Sequence, residues 1–202
     1  MGSSEISIIL ASQSPARARL LAAAGVLFTT QRAAVDENTV RLAMTDSGAR
    51  PREIAETLAE MKALRVSSSA PDALVIGSDQ ILVLDDVVFS KAEDLDGART
   101  QLRTLRGKTH QLVTAVCVAR GGGAIWRHIE TVRITMRDFS DRFLDHYLAN
   151  VGETVLSSVG CYHLEGLGVQ LMRQIEGDHF TVQGLPLLAL LQYLRDYGAL
   201  ES

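Results

Sequence analysis

Only two cysteines, Cys117 and Cys161, occur in 202 residues, far apart and without a C-x-x-C pairing. The plain reading is a reduced, cytoplasmic setting in which both thiols serve as small core residues. No basic block marks a nucleic-acid polymer as partner, and there is no acidic tail. The 20 Lys and Arg and 24 Asp and Glu are interspersed, for a net charge of −4. The longest apolar run, near Leu185–Leu191, is far too short to span a membrane. Met1–Ile6 is polar and lacks the basic start of a signal peptide. A P-loop G-x-x-x-x-G-K-[ST] is missing, and no helix pattern follows Gly121-Gly-Gly123, so the common phosphate-binding glycine motifs do not apply. Repeats, low-complexity tracts and linkers are absent as well. What remains is one globular domain over residues 1–202. It is 47% hydrophobic, enough for a well-buried core with room for two lobes.

Against that background, Val75-Ile-Gly-Ser-Asp-Gln-Ile-Leu-Val-Leu84 stands out. Leu74–Ile76 reads as a buried strand, Gly77-Ser78 as a tight turn, and Ile81–Leu84 as a second apolar run. Asp79, held between two hydrophobic runs, suits a general base or metal ligand; an acid in a turn is the simpler alternative.

Several basic segments can gather around it. Ile6–Leu10 reads as a strand, followed by Ser12, an N-cap at Ser14 and Pro15 at the first helical position, with Gly25 closing the helix. Arg17 and Arg19 in its first turns make either a phosphate cradle at a helix N-terminus or solvated arginines on a capped helix. Val26–Thr30 reads as extended. Asp36-Glu37 fits a hard cation or a solvated loop, and residues 41–50 read as a mobile connection. Pro51 opens a helix whose Ile54, Leu58, Met61 and Arg65 share one side. Lys62 then flanks the buried face, about 80° from Ile54, pointing into a cleft or snorkelling to solvent.

Downstream, Asp85-Asp86 reads as a hairpin turn, and Lys91 at the exit of the returning strand is a phosphate ligand or surface charge. Asp96 is read as capping a helix that ends at Gly107. Gln111–Arg120 and Ala124–Met136 read as an antiparallel hairpin. Ser140 caps a helix ending near Gly152. His110 and His128 read as structural or surface residues. The glycines of Gly160–Gly168 imply a tight backbone path around Glu165. Val169–Ile175 and His179–Gln183 read as paired strands, and Gly184-Leu-Pro186 opens a terminal helix.

Taken together and in order, Leu10-Ala-Ser-Gln-Ser-Pro15 with Arg17, Val35-Asp-Glu37, Met61-Lys62-Ala63, Ile76-Gly-Ser-Asp79, Ser90-Lys91, Gly166-Leu-Gly168, Ile175-Glu-Gly-Asp178 and Gly184-Leu-Pro186-Leu187 resemble the Maf family of nucleoside triphosphate pyrophosphatases. The resemblance spans nearly the whole chain. It implies an α/β fold with an elongated, curved mixed β-sheet flanked by helices, and two lobes around a deep cleft. It implies hydrolysis of the α–β phosphoanhydride bond of a nucleotide, releasing the monophosphate and pyrophosphate, with a divalent cation (Mg²⁺ or Mn²⁺) as cofactor and a homodimer as a common assembly. Carried over by position, Asp79 is the catalytic acid that accepts the proton of the attacking water. Ser12, Arg17, Lys62 and Lys91 contact phosphates, and Glu37 with Asp79 is the metal contact. Ala16, Gln80 and Glu165 occupy the positions that track base choice.

Gln80 and Glu165 match the branch associated with 7-methyl-GTP, whereas the branch acting on dTTP and UTP carries Thr and Gln there. Ala16 departs from that first branch, which typically has an aromatic residue able to stack on a cationic base. Gln174 stands where a phosphate-contacting lysine is frequent, and Ala92 replaces a common proline. The chemistry is self-consistent. A triphosphate carries about three to four negative charges, which arginine, lysine and a cation neutralise. In-line attack by water needs one base in reach and a stabilised leaving group.

Overall fold

The computed structural model describes residues 6–201; the polar opening Met1–Glu5 and Ser202 lie outside them. Seven strands form one mixed sheet: β1 (Ile8–Leu10), β2 (Thr29–Thr30), β3 (Leu74–Leu84), β4 (Val87–Phe89), β5 (Thr109–Arg120), β6 (Gly123–Met136) and β7 (Met172–Glu176). Their order is β2-β1-β3-β5-β6-β7, with β4 pairing to β3 off this path. β1 is parallel to both β2 and β3, and every other pairing is antiparallel. Around the sheet lie α1 (Pro15–Ala23), α2 (Glu37–Asp46), α3 (Pro51–Ser67), α4 (Leu95–Leu105), α5 (Asp141–Val151), α6 (His179–Val182) and α7 (Leu187–Asp196).

β3 runs without interruption through Gly77-Ser78, where the sequence suggested a turn. Its register with β5 is continuous from Val75 opposite Ala119 to Val83 opposite Gln111. The two small residues serve close packing instead. A Cβ on Gly77 would lie 2.2 Å from the Ala59 carbonyl oxygen and 2.7 Å from the Ala63 nitrogen, so α3 rests directly on the strand. Ser78 is fully buried, its hydroxyl 2.8 Å from the Ala115 carbonyl oxygen and 3.0 Å from that of Gly184.

The same contact redraws α3. Its buried stripe is Ile54, Ala55, Leu58, Ala59, Lys62, Ala63 and Val66, while Met61 faces solvent. Alanines at 55, 59 and 63 permit the close approach, and the stripe centres on them rather than on the larger Met61. Lys62 therefore lies within the buried face rather than beside it, at 4% exposure.

Local capping explains the other differences. Asp36 accepts hydrogen bonds from the Thr39 backbone and hydroxyl, which starts α2 where a mobile connection was expected. Asp94, not Asp96, caps α4. Asp178 accepts from Thr181 N at 2.7 Å, turning the expected strand at His179 into the short α6. Residues Leu167–Leu171 form a 3-10 turn before β7 begins. The β5–β6 hairpin, the Ser140 cap and Gly152 terminus of α5, and a terminal helix (α7) opening just past Pro186 match the sequence reading.

Alternation along β3 divides the molecule. Gly77, Asp79, Ile81 and Val83 face α3. On the other face, Leu74 and Ile76 join a core with α1 and α7, and Leu82 and Leu84 join a second core with α4 and α5. Polar Ser78 and Gln80 separate these two cores, and the cleft opens along that division.

Two consequences are measurable. Gly77→Ala sets a methyl group against helix backbone that cannot move alone, and is expected to destabilise by about 3 kcal/mol or more; an unchanged denaturant midpoint would contradict the direct packing of α3 on β3. His110, buried beside Tyr162 at 2.6 Å, has its pKa lowered by burial to about 4. The unfolded chain takes up this proton near the ordinary histidine value, before the folded state does. Stability is therefore full above pH ~6.5 and falls by about 3 kcal/mol as the pH drops toward 4. Acid titration of the unfolding free energy should show this slope, and His110→Asn should flatten it.

Candidate active site

On one edge, β3 pairs with β1 as far as Ile76 and with β4 from Leu82 onward. Residues 77–81 have no strand partner between them, and Asp79 sits in the middle of this gap. β1 runs parallel to β3 and β4 antiparallel, so both strands end at the gap. β1 delivers the loop carrying Ser12, and β4 delivers Lys91. A cleft of about 860 Å³ opens here, lined among others by Ser12, Arg17, Glu37, Lys62, Asp79 and Lys91. The structure thus brings together every residue assigned above to catalysis, phosphate contact or metal binding.

Lys62 is the centre of the cluster. Its Nζ lies 2.7 Å from Asp79 Oδ1, 2.8 Å from Glu37 Oε2 and 3.5 Å from the Ser78 carbonyl oxygen. Asp79 is buried, and its Oδ2 has no hydrogen-bond partner among the described residues. Burial pushes the half-enclosed Glu37 carboxyl up, but Lys62, then Arg17 and Lys91, outweigh it and hold the carboxyl below its usual range. Loss of hydration in the cleft lowers the Lys91 ammonium pKa, with Arg17 and Lys62 adding repulsion and Glu37 and Asp79 opposing it.

Arg17, also buried, donates through Nε to the Gly184 carbonyl oxygen at 2.7 Å and through Nη1 to Ser12 Oγ at 3.3 Å. Ser12 Oγ additionally accepts from Ser14 N at 3.2 Å, which leaves its own proton to donate. The Ser14 N-cap and Pro15 start α1 so that Arg17 is turned inward.

Ala16, Gln80 and Glu165 also line the cleft, and two of them are already engaged. Gln80 Nε2 lies 2.8 Å from Thr114 Oγ1, 2.9 Å from the Thr181 carbonyl oxygen and 3.3 Å from that of Val182, so its amide protons are committed to α6 and β5. Glu165 Oε1 is 2.5 Å from Arg19 Nη2. Gln174 lies outside the cleft lining and bonds to Glu176 at 2.8 Å, away from any phosphate contact. Arg41 lines the cleft and was missed in the sequence. Once α2 is recognised as a helix, the i, i+4 spacing of Glu37 and Arg41 would have placed both on one face. Both cysteines are buried core residues with pKa values raised by burial to about 11.

The donor set fits a divalent cation of one kind. No group of three or more His, Cys, Asp or Glu residues is clustered for metal binding among the described residues. Asp79 offers an unpartnered carboxylate oxygen, and Glu37 offers a second carboxylate kept ionised by its basic neighbours. Two carboxylates beside a phosphate site suit a hard cation that completes its shell with phosphate oxygens and water, not an all-protein cage.

Similarity to known proteins agrees with this geometry. The chain is 54% identical over 192 residues to a nucleoside triphosphate pyrophosphatase from Paramagnetospirillum magneticum, covering 95% of this chain and 99% of that protein. It is 50% identical over 193 residues to a nucleoside triphosphate pyrophosphatase from Granulibacter bethesdensis, covering 96% and 98%. It is 48% identical over 190 residues to a 7-methyl-GTP pyrophosphatase from Brucella abortus, covering 94% and 96%. The Maf-like protein family matches residues 7–197, and the chain belongs to that family.

Proposed function

We propose that the protein is a nucleoside triphosphate pyrophosphatase. Water attacks phosphorus, a new P–O bond forms, the α–β anhydride P–O bond breaks, and the products are a nucleoside monophosphate and pyrophosphate. The observation that carries this reading is the unpartnered Oδ2 of buried Asp79, set among Lys62, Arg17 and Lys91. A buried carboxylate oxygen without a hydrogen bond is costly unless a ligand uses it.

In this reading Asp79 accepts the proton of the attacking water through Oδ2, while Lys62 fixes the other oxygen and so aims the group. Arg17, Lys91 and the Ser12 hydroxyl hold the phosphates, and their positive charge stabilises the departing pyrophosphate. Lys62 spends most of its donor capacity on the two carboxylates, so its role is positioning before phosphate contact. Glu37 and Asp79 would hold a divalent cation, Mg²⁺ or Mn²⁺, which when bound supplies further neutralisation of phosphate charge. The names of the similar proteins, and Arg17, Lys62 and Lys91 beside Asp79 in the cleft, favour turnover over a silent nucleotide-binding module of the same fold.

No helix among the described residues is long and apolar enough to cross a membrane. A cytoplasmic location is supported by the buried, unpaired thiols, and a homodimer by the family resemblance.

The test is pyrophosphate release from a panel of nucleoside triphosphates. Asp79→Asn keeps the shape of the side chain but not its basicity, and is expected to lower kcat about 10²- to 10⁴-fold with nucleotide binding retained. Chelation should stop release, and added Mg²⁺ or Mn²⁺ should restore it. Unchanged turnover in Asp79→Asn would remove Asp79 from the chemistry.

A further inference from the structure

The branch residues associated with 7-methyl-GTP are present, yet this chain has already bound them internally. The amide protons of Gln80 point into Thr114 and the α6 backbone, so only its carbonyl oxygen can be offered to a base. The carboxylate of Glu165 is met by Arg19 at 2.5 Å. Arg19 lies on α1, three residues beyond Ala16, so the two share a helix face. Glu165 lies on the loop after the 3-10 turn Gly152–Ser157, across the cleft. Arg17, Glu37, Lys62, Asp79 and Lys91 line the same cleft, and the Arg19–Glu165 pair makes no ion pair with any of them. With the phosphates assigned above to Ser12, Arg17 and Lys91, the nucleoside falls to Ala16, Arg19 and Glu165 in that reading.

We propose that Arg19 is a specificity-determining residue that selects nucleotides with a neutral purine base over those with a cationic, N7-methylated one. This rests on the pyrophosphatase reading above. A bare carboxylate at Glu165 would attract a cationic base. With the Arg19 guanidinium against it, that negative charge is compensated, and a second positive charge arriving beside it is repelled. Ala16 supplies no aromatic face to offset the repulsion. A neutral guanine presents the same N1–H and amino donors to the Gln80 and Glu165 oxygens without that conflict. Arg19 is largely exposed, so the effect is modest: a pair of this kind changes the ratio of affinities about fivefold.

The experiment compares GTP with 7-methyl-GTP at slightly acidic pH, where the methylated base keeps its N1 proton and its positive charge. The proteins are the parent, Arg19→Ala and Arg19→Lys. Pyrophosphate release gives kcat and KM, and calorimetric titration with GMP and 7-methyl-GMP gives Kd independently of turnover. The expected result is a parent that prefers the neutral base. Arg19→Ala should shift both the KM ratio and the Kd ratio toward the methylated base about fivefold, and Arg19→Lys should keep the parent preference. A Kd ratio that Arg19→Ala leaves unaltered, or a parent that already prefers the cationic base, overturns the proposal. Absence of pyrophosphate release from the parent would instead overturn the reaction reading, and the two Kd ratios would still decide the role of Arg19.

Discussion

A single buried ammonium group, Lys62 Nζ, lies within 2.8 Å of two carboxylates from two different elements. Taking that charge out of water costs several kcal/mol, and only close pairing repays it. Every neighbouring feature serves the pairing. The alanine face of α3 and Gly77 of β3 let helix and strand touch, which brings Lys62 within reach of Asp79. Asp36 caps α2 so that Glu37, its first residue, turns toward the same ammonium. A cluster with two acids and one cation still lacks positive charge, and Arg17 and Lys91 provide it from opposite ends of the strand gap. The result is one oxygen, Asp79 Oδ2, that is left over and fixed in place.

The gap itself follows from strand length. β1 and β4 are each three residues long and occupy the two ends of an eleven-residue β3, so the middle of that edge stays open. An unpaired stretch in a sheet is ordinarily a hazard for aggregation. Here the flanking helix and the loop carrying Ser12 screen it and turn it into a cleft floor. The two hydrophobic cores on the opposite face are separated by Ser78 and Gln80, tied to Thr114, Thr181 and Gly184. This polar layer joins the lobes without filling the space between them.

Much of this was legible beforehand. The alternation of β5 and β6, the caps at Ser14 and Ser140 and the apolar runs around Asp79 are local signals, and local signals survive folding. The order of the motifs was enough to name the acid and the basic residues that the fold later gathers. What the sequence hid were consequences of contact between distant segments. Gly77-Ser78 has the composition of a turn, and only the backbone of α3, packed from the other side, makes it strand. Met61 looks like a core residue until the small-residue stripe beside it sets how close the helix sits. Asp36 reads equally as a cation contact or part of a solvated loop, because a capping side chain announces a helix only when the following residues are taken together with it. The Arg19–Glu165 pair joins residues 146 positions apart and leaves no local trace.

The most direct measurement is on Lys62→Met, which keeps the unbranched shape of the side chain, one atom shorter, and removes its charge. Unfolding free energy and pyrophosphate release should be followed together, beside the double variant Lys62→Met/Asp79→Asn. The expected result is a loss of about 3–5 kcal/mol and of turnover in the single variant, since a buried carboxylate is left without its partner. The double variant should recover most of the stability and none of the turnover. A Lys62→Met protein that is as stable and as active as the parent would contradict the central place given to this ion pair.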